Sequence, residues 1–345
     1  MSSFQEIPVI DITDLGSDDA EKHKAVVAAI RDAAENVGFL TVTGHGIPQE
    51  TIDGLLSETK KFFALPEEEK MKAYIGNSTN HRGYVPEGEE VFASGSKDMK
   101  EAFDLSVDLP ADDPDYVAGN PMLGPNQWPE GRPEFKEKVM AYYNAAFELG
   151  QRLTRGFSEA LGLEPEALDK YFEKPPSQLR LIHYPYNPDA PEDRPGIGSH
   201  TDYEAFTLLL PTAPGLEVMN DEGEWIDAPP VPGGIVINIG DMMEVWSNGL
   251  FTATSHRVRK VKEERYSFPL FYSCGYWTVV EPLPQFVDED HPPAYEPVTA
   301  GEHLHAQTVQ TFTYLKDRLA RGEITLPENS RALSSFGQEA KRKAS

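Results

Sequence analysis

Residues 198–203 read GSHTDY, and they lie within a run of short β-rich segments that decides the fold. The segments begin at Leu179 (LRLIHY), Phe206 (FTLLL), Leu216 (LEVM), Glu224 (EWID), Ile235 (IVINI), Thr252 (TATSHRV), Tyr266 (YSFPLFY) and Trp277 (WTVV). Each is rich in β-branched and aromatic residues, and turn formers separate them. Residues 220–223 (NDEG) and 247–249 (SNG) have the composition of hairpin turns. Eight short strands closing on one another predict a jelly roll of the cupin type.

Outside that run the pattern turns helical, so the expected class is α+β, with N-terminal helices and a C-terminal helix packed around the β core. Val26, Val27, Ile30 and Ala33 give a helical period over about residues 18–36, and Gly38 stands where a helix would stop. A strand over 39–43 leads into the turn GHGIP, and Pro48 is placed to open a second helix carrying Leu55, Leu56, Phe62 and Phe63. Residues 85–132 are rich in Gly, Pro and acids without clear periodicity and read as a long loop. A long helix over about 132–161 shows a buried stripe of Phe135, Val139, Tyr142, Tyr143, Phe147 and Leu153, and one more helix is expected over about 303–321. The boundaries expected are 5–120 for the N-terminal region, 175–285 for the jelly-roll core and 295–345 for the C-terminal helical segment, joined in one compact unit.

The composition bounds the partners. A formal charge of −26 repels phosphate backbones, so nucleic acid is not an expected partner. No apolar run approaches the roughly 20 residues needed to cross a bilayer, and no membrane partner is expected. The single cysteine, Cys274, excludes an internal disulfide and, with no secretory signal in residues 1–8, fits a cytoplasmic protein. The basic cluster at 340–344 (AKRKA) reads as a frayed end. A monomer or weak homo-oligomer is expected.

Chemistry enters through three residues. On a strand, the spacing of His200 and Asp202 points both side chains to one face, where one imidazole and one carboxylate reach the same ion. His256, in the segment SHRV, is the third candidate ligand, brought alongside on another strand. Two His and one carboxylate leave the opposite side of a metal open, the arrangement of non-haem Fe(II) oxygenases. A carboxylate at 202 also argues against halogenation, which needs that position vacant for a halide. Nine residues past His256 stand Arg265 and, two further on, Ser267, both able to face the barrel interior and clamp a carboxylate. The alternative for Arg265 is an interior salt bridge to one of the chain's many acids.

These segments occur in an order that resembles the isopenicillin N synthase-like family of Fe(II)/2-oxoglutarate-dependent dioxygenases. The resemblance rests on residues 7–11 (IPVID), 38–48 (GFLTVTGHGIP), 82–84 (RGY), 98–104 (DMKEAFD) and 179–185 (LRLIHYP). It continues through GSHTDY, 215–218 (GLEV), 232–241 (PGGIVINIGD), 254–258 (TSHRV) and 265–272 (RYSFPLFY), and so covers most of residues 5–280. It implies Fe(2+) held by His200, Asp202 and His256, with 2-oxoglutarate and O2 as cosubstrates and ascorbate as a stimulant. It further implies 2-oxoglutarate bound by Arg265 and Ser267, with Tyr184 and Asn238 beside them. The implied reaction oxidises a small molecule, by hydroxylation, desaturation or ring closure, with release of succinate and CO2. Isopenicillin N synthase keeps the same Arg/Ser pair without consuming 2-oxoglutarate, so an oxidase of that type is the alternative. A non-catalytic metal-dependent binder is the alternative of another class. For the substrate, the expected residues are Arg82, Tyr84, Arg180, Tyr203 and Phe206, with core packing weighing equally at each. The substrate is expected to enter beside an acidic loop containing Glu87, Glu89, Glu90, Asp98 and Glu101.

Overall fold

The computed structural model describes residues 3–91, 100–186, 196–260 and 263–326. Asp98 and the basic cluster at 340–344 lie outside them. The N-terminal part supplies β1 (Val9–Asp11), α1 (Ala20–Asn36), β2 (Phe39–Thr43), α2 (Gln49–Phe63), the single-turn α3 (Glu67–Lys70), β3 (Gly83–Val85), β4 (Glu101–Leu105), the single-turn α4 (Pro114–Val117) and the long α5 (Pro133–Ala160). The barrel strands are β5 (Gln178–Tyr184), β6 (Ile197–His200), β7 (Phe206–Pro211), β8 (Leu216–Met219), β9 (Trp225–Asp227) and β10 (Ile235–Ile239), then, after α6 (Asp241–Trp246), β11 (His256–Val258) and β12 (Arg265–Tyr272). The short β13 (Val279–Val280) and β14 (Val298–Thr299) precede α7 (Ala300–Thr311) and α8 (Thr313–Ala320).

Two sheets build the jelly roll. The larger runs β1-β2-β10-β7-β12-β5-β4-β3 and the smaller β6-β11-β8-β9. Every neighbouring pair is antiparallel except β1 with β2. Strands β5 to β12 make the double-stranded β-helix, and the N-terminal strands extend its larger sheet at both edges.

Local chemistry explains the helical layer. Asp19 caps α1 by accepting from the N–H groups of Glu21 and Lys22, and Val26, Ile30, Ala33 and Ala34 form its buried face. Gly38 then takes φ +71, and a Cβ there would sit 2.2 Å from the Thr252 carbonyl oxygen, so both conformation and space demand glycine. Pro133 starts α5, whose buried stripe packs on the back of β12: Tyr142 meets Phe268, and Phe147 meets Tyr272. The opposite face of β12, carrying Arg265, Ser267, Pro269 and Phe271, lines the barrel interior.

Four expectations are corrected. The run at Trp277 is not a barrel strand, since β13 pairs only with β14 in a separate ribbon; the eighth strand is β6, whose sequence IGSH has a single β-branched residue, Ile197, and so little strand pattern of its own. Residues 247–249 terminate α6, with Asn248 at φ 51 and Gly249 at φ 86, and make no hairpin. The stretch read as a long loop contains β4, whose two faces are both covered and carry acids as well as apolar residues, Glu101 paired with Lys70 and the buried Asp104 with Arg180, so no polar–apolar alternation marks it. The C-terminal helix is two, broken at Phe312, which is extended (φ −85, ψ 130) and bridges Glu90. The carbonyl of Glu89 accepts from the Thr313 N–H, so tertiary pairing overrides helix continuation there. No helix among the described residues is long and apolar enough to cross a membrane.

Candidate active site

His200 is the last residue of β6 and His256 the first of β11, and the two are directly opposite in the antiparallel register. Their rings lie 4.4 Å apart between centroids. Asp202 is not on the strand as expected. It sits in the turn beyond β6, where its carbonyl accepts from the Asp241 N–H at 2.9 Å, and this turn, not strand alternation, aims its carboxylate. Asp202 Oδ1 is 3.6 Å from Nε2 of each histidine, and the donor atoms of all three residues fall within 4.8 Å of one another.

The hydrogen bonds behind the histidines fix their tautomers. His200 Nδ1 lies 2.8 Å from the Gly198 carbonyl oxygen and His256 Nδ1 lies 3.2 Å from that of Thr254. A carbonyl can only accept, so each Nδ1 carries the proton and each Nε2 turns a lone pair to the centre. Burial, then the neighbouring His256, pushes the His200 pKa down to about 4, which keeps that ring neutral. Burial alone would raise the Asp202 pKa, but the two imidazoles hold its carboxyl well below the usual carboxylate range. Burial opposes charge on His256 too, but the carboxylate of Asp202 beside it outweighs burial and raises its pKa. The donor set, two imidazole nitrogens and a carboxylate oxygen, fits Fe(II).

At the far end of the same interior lies Arg265, 1% exposed. Its Nε donates to the Ala213 carbonyl oxygen at 3.2 Å, and its guanidinium carbon stands 4.8 Å from the centre of the Tyr184 ring. The terminal nitrogens Nη1 and Nη2 have no partner of hydrogen-bonding geometry, and burial pushes the guanidinium pKa down against the neighbouring Tyr184 phenol, which favours the charged form. Among the described residues no acid pairs with Arg265, so the salt-bridge alternative is not what the structure contains. A buried guanidinium with two open nitrogens costs several kcal/mol unless an anion completes it. Ser267 faces the same space from the same side of β12. The residues therefore fit a bound carboxylate.

The cavity joining these ends holds about 160 Å³. Tyr184, Asn238, Arg180 and Tyr203 are among the residues that line it. Asn238 is occupied, however, donating to Asp202 Oδ2 at 2.8 Å. Arg180 grips Asp104 with two bonds of 2.7 Å and meets Glu90 at 2.6 Å, with the Phe312 ring against its guanidinium. The Tyr203 ring stands edge-on to His303.

Three substrate candidates are elsewhere. Phe206 is fully buried on the outer face of β7, packed on Phe157 and Tyr272; alternation gives the cavity Thr207 and Leu209 instead. Arg82 is fully buried and donates to the carbonyls of Asn80, His81 and Met122, so it pins a loop. Tyr84 packs on Phe62 and donates to Glu101 at 2.6 Å. Of that segment only His81, held at φ 61, reaches the cavity, one residue before the motif. Among the described residues of the acidic loop, Glu90 alone lines the cavity, paired with Lys100; Glu89 accepts from Tyr74, and Glu101 is bound by Lys70 and His183. Leu304, Thr308 and Phe312 of the C-terminal pair complete the wall, and no local motif in the sequence marks them.

Comparison with known proteins agrees with this geometry. Residues 175–273 match the model of the 2OG-Fe(II) oxygenase superfamily, and residues 7–131 match that described as non-haem dioxygenase in morphine synthesis N-terminal. A homoarginine-6-hydroxylase of Oryza sativa is 37% identical over 327 residues, 90% of this chain and 99% of that protein. The 2-oxoglutarate-Fe(II) type oxidoreductase hxnY of Emericella nidulans is 34% identical over 315 residues, 88% of this chain and 90% of that one. Among solved structures, a full-length Neurospora crassa protein in complex with α-ketoglutarate superposes with a TM-score of 0.75 at 25% identity, covering 91% of this chain and 96% of that one. Relatives of this identity and coverage, joined to a triad that could hold iron, place the chain in the 2OG-Fe(II) oxygenase superfamily, as a 2-oxoglutarate-dependent oxidoreductase.

Proposed function

We propose that the chain hydroxylates a small molecule at a site where His200, Asp202 and His256 hold Fe(II) and where Arg265, with Ser267 and Tyr184 beside it, holds the distal carboxylate of 2-oxoglutarate. The observation that carries this is the buried Arg265 with both terminal nitrogens open, at the end of the cavity that contains the triad. With these bound, the metal and cosubstrate supply the oxidation: 2-oxoglutarate and O2 give succinate and CO2, and one oxygen atom goes to the substrate.

The chain's own residues do the rest. His200 and His256 present neutral Nε2 atoms because backbone carbonyls hold their Nδ1 protons. Arg265 orients the cosubstrate by a two-pronged bond to its carboxylate, which only a planar guanidinium provides. The substrate occupies the other half, between Tyr203, Arg180 and Phe312, and the packed wall of Leu304 and Phe312 excludes water from it. Names of relatives that specify 6-hydroxylation of homoarginine support hydroxylation as the outcome. We read residues 5–120, 175–285 and 295–345 as parts of one unit, supported by β1 to β4 sharing a sheet with the barrel.

The test is a screen of small metabolites scored by succinate and by O2 uptake together. Succinate formed with Fe(II) and matched to hydroxylated product is expected. O2 uptake with product but no succinate would instead establish an oxidase of the isopenicillin N synthase type.

A further inference from the structure

Asp202 uses its two carboxylate oxygens differently. Oδ1 lies 3.6 Å from both imidazole Nε2 atoms, on the side the metal would occupy. Oδ2 is turned away and accepts from Thr207 Oγ1 at 2.5 Å and from Asn238 Nδ2 at 2.8 Å. A carboxylate oxygen has about two lone-pair sites, and these two donors fill both. The donors come from the larger sheet, where Asn238 on β10 and Thr207 on β7 are paired directly in register, while the histidines come from the smaller one. The carboxylate is thus held between the sheets, and its main chain is tied to the start of α6 through the Asp241 N–H.

Resting on the metal reading proposed above, we infer that Thr207 and Asn238 are positioning residues that make Asp202 a one-oxygen ligand. Two imidazoles and a single carboxylate oxygen would leave a bound metal room for a chelating 2-oxo acid and O2, and a second carboxylate oxygen would take part of that room. Asn238 therefore serves Asp202 and not the cosubstrate directly, and Thr207, which no motif marks, does equal work.

The experiment uses Mn(II) as probe, its binding read by the EPR signal of the free ion, and 2-oxoglutarate titrated calorimetrically into the Mn(II)-loaded chain. Thr207→Val and Asn238→Leu each keep the volume and remove the donor. Each should weaken Mn(II) about 10- to 100-fold, as loss of an outer hydrogen-bond partner of a metal ligand does. The double variant, saturated with Mn(II), should bind 2-oxoglutarate at least about tenfold more weakly, because Oδ2 is free to take a position the cosubstrate needs. Thr207→Ser, which keeps the hydroxyl, should retain the wild-type constants. If Thr207→Val does not fold, Thr207→Ser against Thr207→Ala asks the same question at smaller volume. Wild-type constants in the folded Val and Leu variants overturn the inference, and so does a Ser variant as weak as the Val one, because packing would then be the cause. A wild-type chain that binds no Mn(II) overturns instead the metal reading beneath it.

Discussion

With Arg265 holding the cosubstrate as proposed, removing its guanidinium would leave a buried carboxylate without its partner, at a cost of roughly 3–5 kcal/mol. Arg265→Ala should therefore raise the 2-oxoglutarate requirement by roughly two to four orders of magnitude. Ser267→Ala should do less, since one hydrogen bond to a charged group contributes about 1.5–3 kcal/mol. Succinate formation against 2-oxoglutarate concentration checks both, and an Arg265→Ala chain with the wild-type dependence would remove the clamp from the account. Arg82 predicts the opposite kind of effect. Arg82 itself and two of its three carbonyl partners, Asn80 and Met122, are not among the cavity-lining residues, so Arg82→Ala should lower stability by several kcal/mol while the folded fraction changes its substrate KM little. Denaturant unfolding beside steady-state kinetics distinguishes this from a substrate role. The difference between the two arginines also marks what the sequence could tell. Arg265 was readable because its spacing to Ser267 reports a shared strand face. Arg82 sits in a loop of irregular backbone, with His81 at positive φ, where spacing says nothing about direction.

Strand β7 separates structure from function by parity. Phe206 faces the helical layer and should cost about 3–5 kcal/mol when cut to Ala. Tyr203, just before the strand, lines the cavity, and Tyr203→Ala should change stability by less than about 1 kcal/mol but raise the substrate KM. Urea unfolding of the two variants tests this, and equal losses of stability would contradict the division between Phe206 as a packing residue and Tyr203 as a lining one. Elements with strong periodic patterns, such as α1, α5 and β12, were recoverable from the sequence because their own residues create the amphipathic face. Strand β6 was recoverable only through the spacing of His200 and Asp202, which placed a strand there but carried it too far; pairing with β11 ends it at His200. The break between α7 and α8 was not recoverable, because the bridge from Phe312 to Glu90 imposes it from more than two hundred residues away. The cavity's C-terminal wall was invisible for the same reason: its residues are chosen by packing, with no motif of their own.

Across the whole molecule, an excess of acid, −26 in formal charge, surrounds a few buried ion pairs, of which Glu90 with Lys100 and Arg180 joins the N-terminal segment, the barrel and the C-terminal helices. Burial alone would raise the Glu90 pKa, but the charges of Arg180 and Lys100 outweigh it and hold the carboxyl at about 2, below the ordinary 4.5. Its contribution is therefore complete above pH 4.5 and is lost as pH falls toward 2. Glu90→Gln should cost roughly 3–5 kcal/mol at neutral pH, with the gap to wild type closing in that acid window. Chemical denaturation at several pH values reads it, and a gap that stays constant down to acid would show that the charge is not the cause. The central claim, that one cavity holds Fe(II) at the triad and 2-oxoglutarate between the metal and Arg265, is tested most directly by anaerobic titration of the Fe(II)-loaded chain with 2-oxoglutarate, followed by the visible charge-transfer absorbance of the chelate. The account predicts a band that saturates at one equivalent in the wild type, that needs far more 2-oxoglutarate in Arg265→Ala and that is absent in His256→Ala. No band at any 2-oxoglutarate concentration in the wild type would contradict it.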